Sequence, residues 1–337
     1  LSLWLKKSYP SLQPIAYSLT PISNNGDEMI KREEMYFLSS EGKRRIKVYI
    51  WRAENPVGIL QFSHGMKEHA LRYQEMAEFF VERGFTVLGN DHLGHGRSTL
   101  SKGDTGYFGL PNGNKYLVED LYRTFLLGKK EGDLPYFILG HSMGSFLLRE
   151  FLLEYPKEKL NGAILMGTTE VAKPLLKAGI AYTSLTRKYI GEEYRSPVLK
   201  SIILNFNRKL ARHHTPFDWI SSIEEEVQHF AEDPLVQFDF TANGYHFLLE
   251  AMERMDPLKK EEANLAIPLF IVSGEEDPVG EFGKCPKITY QKYIQKGYTD
   301  VSLKLYPNNR HELLHDRDKE QVLEDLYQWM IERREEE

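Results

Sequence analysis

Residues 136–152 read YFILGHSMGSFLLREFL. An apolar run of strand length stops at Gly140, Ser142 follows one residue on, Gly144 closes the turn, and an amphipathic run continues. This order predicts a strand that turns sharply into a helix, the glycines permitting the tight path. A serine on such a turn presents its hydroxyl at the C-terminal edge of a sheet. The next N–H then stands at a helix start, where unpaired donors and the helix dipole favour negative charge. Ser142 is therefore a candidate nucleophile. Alone, G-x-S-x-G also fits a glycine-bounded turn with a helix-capping serine; the strand before and the helix after favour the nucleophile.

Outward from this turn, strand-like runs alternate with helical patterns. Strands are predicted at 45–51, 57–62, 85–90, 135–140, 160–167, 267–274 and 301–307, and helices near 70–83, 115–130, 143–155, 284–296 and 318–334. The nearly continuous apolar character of ILQF, YFIL and LFIV predicts strands covered on both faces. The fold class is thus α/β, a mostly parallel sheet flanked by helices. The alternation lapses over 168–263, which reads as an inserted helical cap. This leaves 31–167 and 264–337 as the core and 1–30 as an N-terminal arm. Within the cap, the spacing of Val198, Ile202, Phe206 and Leu210 predicts one helix with a single apolar stripe.

A serine nucleophile needs a base, and in a fold of this kind the chain order is nucleophile, acid, histidine. That order removes His64, His69, His92, His95 and His141, while His213, His214, His229 and His246 fall in the cap. His311, in YPNNRHELLHD between the last strand and the last helix, is the predicted base, with His315 as runner-up. Asp277, in the loop SGEEDPVG after the strand at 267–274, is the predicted acid; Glu170 is the alternative. A second oxyanion donor is expected from the Met66 N–H, after the strand ending at His64-Gly65, beside that of Met143.

The composition narrows the function classes. A net charge of −6 over 337 residues argues against broad nucleic-acid binding. No stretch is apolar enough for a spanning helix, and Lys6 and Lys7 interrupt the N-terminal apolar stretch, so no signal peptide is expected. Cys285 is the only cysteine, which favours the cytoplasm. His64, Glu68, His69, Asp91, His92 and His95 are ligand-type residues, yet their spacing fits no metal motif, and Gly94-His95-Gly96-Arg97-Ser98 lacks the lysine of a phosphate-binding loop. No metal and no cofactor are expected. Residues 168–215 carry nine basic and three acidic side chains, interleaved with apolar ones. This reads either as solvated surface offset by the acidic run from Asp218 onward, or as a face for transient contact with anionic lipid surfaces or phosphate head groups, the acyl chain entering beneath.

Taken in order, HGMKEHALRY, NDHLGHGRS, GHSMG, SGEEDPVG and RHELL resemble the monoacylglycerol lipase and lysophospholipase group of α/β-hydrolases, from about residue 33 to the C-terminus. The resemblance implies Ser142, Asp277 and His311 as a triad, Met66 and Met143 as oxyanion donors, a helical cap over an apolar acyl pocket, and no cofactor. It implies a small lipid-like monoacyl ester as substrate. Short-chain carboxylesterase and thioesterase activities stay open, as does a catalytically silent binder on the same scaffold.

Overall fold

The computed structural model describes residues 17–21, 31–210 and 213–334. Its strands are β1 (Tyr17–Pro21), β2 (Lys31–Leu38), β3 (Arg45–Trp51), β4 (Gly58–Ser63), β5 (Phe85–Asn90), β6 (Tyr136–His141), β7 (Gly162–Met166), β8 (Leu269–Gly274) and β9 (Val301–Tyr306). Its α-helices are α1 (Gln74–Glu82), α2 (Gly113–Gly128), α3 (Met143–Glu154), α4 (Lys173–Tyr189), α5 (Pro197–Leu204), α6 (Glu224–Glu232), α7 (Ala242–Arg254), α8 (Lys284–Lys296) and α9 (Lys319–Ile331).

The described strands make one sheet in the order β1-β2-β3-β5-β4-β6-β7-β8-β9. Strands β4 to β9 run parallel, and β1, β2 and β3 join antiparallel at one edge. Alternation along each strand feeds two cores. Tyr136 and Ile138 pack with α2, α3 and α8, whereas Phe137 and Leu139 pack with α1 and α9. Both faces are covered, which is why the central runs are apolar throughout. The chain leaves β4 for β5 on one side and returns past β4 to β6 on the other. The loops after β4 and β6 thus meet at a topological switch point, the place where open α/β sheets take ligands.

All seven predicted strands are present, and β1 and β2 are additions. Within the predicted arm, Tyr17–Pro21 is an edge strand paired with Lys31–Leu38; the remainder of residues 1–30, including Leu1, Leu3, Trp4 and Leu5, lies outside the described residues. At the start of β2, the charges of Arg32, Glu33 and Glu34 are paired within the fold. Glu34 is buried between Lys47 (2.7 Å) and Arg32 (2.8 Å). The predicted stripe from Val198 to Leu210 needs correction. Helix α5 ends at Leu204, Val198 is exposed, and Leu199 is buried. The chain then turns at Phe206, which meets Trp219, before a short 3-10 turn at Asn207–Lys209. Between β7 and β8 no described residue is in a strand. Of the helices there, α7 rests on α2, α3 and α4 together.

Candidate active site

Ser142 joins β6 to α3 with φ 50° and ψ −118°. This region costs an L residue on the order of 1–3 kcal/mol, and packing must hold it there. The Ser142 N–H donates to the Met166 carbonyl (2.9 Å), tying the turn to β7. Gly144 lets α3 approach β4: a Cβ there would lie 1.9 Å from the Ser63 carbonyl oxygen. The half-buried Ser142 hydroxyl has no described partner and faces a pocket that it lines together with His311, Met66, His141, Trp219 and Glu312. That pocket opens to solvent and, with its mouth included, spans about 440 Å³.

His311 and Asp277 reach the same sheet edge from the loops after β9 and β8. The His311 Nδ1 lies 2.9 Å from Asp277 Oδ2, and both side chains are buried. Asp277 Oδ1 accepts from the Val279 N–H (2.8 Å), which fixes the carboxylate plane. The runner-up residues are committed elsewhere. His315 faces Glu226 of α6 (3.5 Å), and Glu170 is held by the buried Arg149 (2.5 Å) and by Lys292 (2.6 Å).

The N–H groups of Met66 and Met143 have no described protein acceptor, and Gly65 brings the first loop against the second. A Cβ at Gly65 would stand 3.1 Å from Ser142 Cβ and 2.6 Å from Glu68 Oε1. Beneath them lies a network that sequence reasoning missed. Glu68 Oε1 accepts from the Gly65 N–H, from the Tyr73 hydroxyl (3.0 Å) and from His141 Nδ1 (2.8 Å). The other ring nitrogen of His141 lies 3.3 Å from the His311 carbonyl oxygen. Arg72 grips Glu312 through two bonds (2.9 and 2.7 Å) and reaches Glu68 at 3.5 Å. Burial opposes charge on every member, but the contacts outweigh it. Glu68 is held well below the usual carboxylate range by His141 and Arg72, and His141 is raised by Glu68. Glu68, Arg72 and Glu312 all stand within HGMKEHALRY and RHELL; charged residues beside a glycine loop were the available signal.

The other ligand-type residues are spent on the loops themselves. His92 N–H donates to His64 Nε2 (2.9 Å), and Asp91 accepts from the N–H groups of Ala70 (2.8 Å) and Arg97 (2.7 Å). Burial pushes His92 down to about 4 and His95 down to about 3. Among the described residues, no cluster of three or more His, Cys, Asp or Glu is arranged to hold a metal ion.

Segments from 168–263 close over the edge. The Trp219 ring lies 5.2 Å from that of His311, and Phe217 and Phe230 complete the apolar wall. Arg310 donates to the carbonyls of Asp218 (2.6 Å) and Ser221 (2.8 Å), His69 meets Asp233 (2.7 Å), and Lys67 meets Asp239 (3.2 Å).

A parallel sheet with a strained serine at the switch point, a histidine loop and helices over the edge defines an α/β-hydrolase of the esterase and lipase type. The chain belongs to the serine aminopeptidase, S33 family (Hydrolase_4), whose pattern matches residues 54–318. It is 28% identical to a monoacylglycerol lipase of Mycolicibacterium smegmatis, over 86% of this chain and 94% of that protein. It is 25% identical to phospholipase YtpA of Bacillus subtilis, over 68% of this chain and 80% of that one. The structure matches that of a thermostable carboxyl esterase from Bacillus coagulans, solved with glycerol, with a TM-score of 0.83 and 30% identity, covering 89% of this chain and 98% of that one.

Proposed function

We propose that this hydrolase cleaves a lipid-like monoacyl ester, a monoacylglycerol or lysophospholipid, through Ser142, His311 and Asp277. The observation that carries the reading is the Ser142 hydroxyl sharing one pocket with a His311 ring whose Nδ1 is held by Asp277. Ser142 Oγ attacks the ester carbonyl while His311 Nε2 takes its proton; Asp277 fixes the tautomer and stabilises the imidazolium. The tetrahedral oxyanion is met by the N–H groups of Met66 and Met143, worth about 3–4 kcal/mol for each donor. His311 returns the proton to the leaving alcohol, and water, with His311 again as base, releases the acid. No step calls for a cofactor. The activities named for the relatives, lipase, phospholipase and esterase, support ester chemistry of this kind.

Segment 168–263 acts in this proposal as the cap over an apolar acyl pocket, and α4 as its contact with an anionic lipid surface, from the cytoplasmic side. Helix α4 holds no Asp or Glu. Its outward stripe is Leu175, Ala178, Tyr182, Leu185 and Tyr189, with Leu175 at 68%, Leu185 at 57% and Tyr189 at 72% exposure. Lys173 and Lys177 have no described carboxylate partner, whereas Arg187, Lys200 and Lys209 are engaged within the fold. Among the described residues, no helix is long and apolar enough to cross a membrane, so α4 would lie on the surface rather than span it. Arg212 lies outside the described residues.

The test is hydrolysis of monoacylglycerols, lysophospholipids and short-chain esters by purified protein, with a fluorophosphonate probe to label the nucleophile. Ser142→Ala is expected to lose turnover by roughly 10⁴-fold or more, lose labelling, and keep its fold. Labelling that survives in Ser142→Ala sinks the assignment. Preference for short esters alone favours the carboxylesterase reading, to which the fold match with an esterase lends support.

A further inference from the structure

A second, open chamber, about 600 Å³ with its mouth included, adjoins the pocket of Ser142 and shares Lys67, Phe217 and Trp219 with it. Its walls are otherwise apolar at Phe238 and charged at Lys200 and Asp239. Lys67 directly follows Met66 and sits in the left-handed region at φ 62°, so its backbone is turned where the oxyanion loop ends. Lys67 Nζ lies 3.2 Å from Asp239 Oδ1, and Lys200 Nζ lies 2.7 Å from Asp239 Oδ2. Two ammonium groups share one carboxylate, which leaves one positive charge uncompensated. Arg195 adds a third cation by donating to the Asp239 carbonyl.

The cations form a path. The Lys200 side chain is 51% exposed at the chamber mouth, two residues from the exposed Val198, and the Lys67 side chain is 16% exposed beside the oxyanion loop. Burial weakens the Lys67 charge and Lys200 repels it, with Asp239 alone in its favour. An anion arriving between them would relieve that repulsion. In a lysophospholipid, the phosphate stands one glycerol unit from the reacting ester. A lysine one residue beyond an oxyanion donor is long enough to span such a gap.

We propose that this chamber is the subsite for a phosphate-bearing leaving group, the glycerophosphate part of a 1-acyl lysophospholipid, gripped by Lys67 and Lys200, with Asp239 bridging the two ammonium groups when the subsite is empty. The proposal rests on the ester-hydrolase reading above and selects the phosphate-bearing substrate within it.

The experiment compares kcat/KM on a water-soluble short-acyl lysophosphatidylglycerol with that on the monoacylglycerol of the same chain. Wild type is expected to favour the former. Lys67→Met and Lys200→Met should each cut that preference roughly tenfold, the effect of losing a charge-assisted hydrogen bond. Asp239→Asn, which frees both ammonium groups, should raise it. An unchanged preference in all three variants overturns the subsite while leaving ester hydrolysis standing. Absence of turnover on both substrates in wild type overturns the ester-hydrolase reading instead. Calorimetric binding of the lysophospholipid to Ser142→Ala, with and without Lys200→Met, reads the subsite without turnover, and equal Kd values overturn it. Glycerol phosphate should inhibit wild type more strongly than inorganic phosphate does. Equal inhibition by the two would mark a site for free phosphate and overturn the head-group assignment.

Discussion

The floor of the pocket and helix α4 of the proposed cap invert each other. The floor takes charge out of water: Glu68, His141 and Glu312 are buried and Arg72 nearly so, each with a partner. Helix α4 exposes apolar surface, turning Leu176, Thr183 and Thr186 inward and the stripe of Leu175, Leu185 and Tyr189 outward. Folding by burial alone would favour the reverse in both places. The floor exchanges desolvation for fixed geometry, because a buried ionic network has few alternative arrangements. The stripe on α4 leaves its apolar area unspent in the isolated chain, which makes that area available to a surface outside it.

This contrast breaks most sharply at Glu68. Glu68→Ala strands His141, Arg72, Tyr73 and the Gly65 N–H in a dry site, and is expected to cost about 3–5 kcal/mol in urea unfolding, with kcat reduced as well. A loss under about 1 kcal/mol would show that the network is ornamental to stability.

Acid should test the buried loops beside that floor next. His92 and His95 are buried without charge, at about 4 and about 3 against an ordinary 6.5. Between those values and 6.5 the unfolded chain binds more protons than the folded one. Stability is therefore lost as pH falls from 6.5, and the loss from His92 levels off below about 4. The expected share of His92 is about 3 kcal/mol. His141 works with the opposite sign: its raised value stabilises the fold while the ring is protonated, and that share is lost as pH rises through it. Denaturant midpoints from pH 7 to 4 measure the acid side, and His92→Asn should flatten the curve. A flat wild-type profile over this range would refute the assignment.

The smallest effect on stability is expected at α4. Leu185→Glu and Tyr189→Glu remove exposed apolar groups, so unfolding free energies should stay within about 0.5 kcal/mol of wild type. Binding to anionic vesicles, measured by co-sedimentation, should fall several-fold while hydrolysis of soluble short esters persists. Equal sedimentation of wild type and variants would return the stripe to ordinary surface.

The difference between floor and cap also governs what the sequence discloses. Strands covered on both faces announce themselves as apolar runs, and the glycines at 140 and 144 mark the turn that carries Ser142. Chain order and loop position then single out Asp277 and His311, which the structure brings within 2.9 Å of each other. Strand β2 escaped because Arg32 and Glu34 look solvated until Lys47 is placed beside them from the neighbouring strand. Glu68, Arg72 and Glu312 escaped for a similar reason: residues 68 and 312 are far apart in sequence, and only the fold lets Arg72 reach both. The spacing of apolar residues in α4 and α5 reveals that a helix has faces, not what covers them. Val198 therefore reads as packed and is bare.

Trp219 gives the molecule an optical gauge of its own. Its indole lies 5.2 Å from the imidazole of His311, and only three other tryptophans, Trp4, Trp51 and Trp329, compete with its emission. A protonated imidazole quenches indole fluorescence more strongly than a neutral one does. With Trp4, Trp51 and Trp329 replaced by phenylalanine, the emission left is that of Trp219 and should follow its surroundings beside His311. Stopped-flow fluorescence would then follow events at His311 during turnover with no added dye.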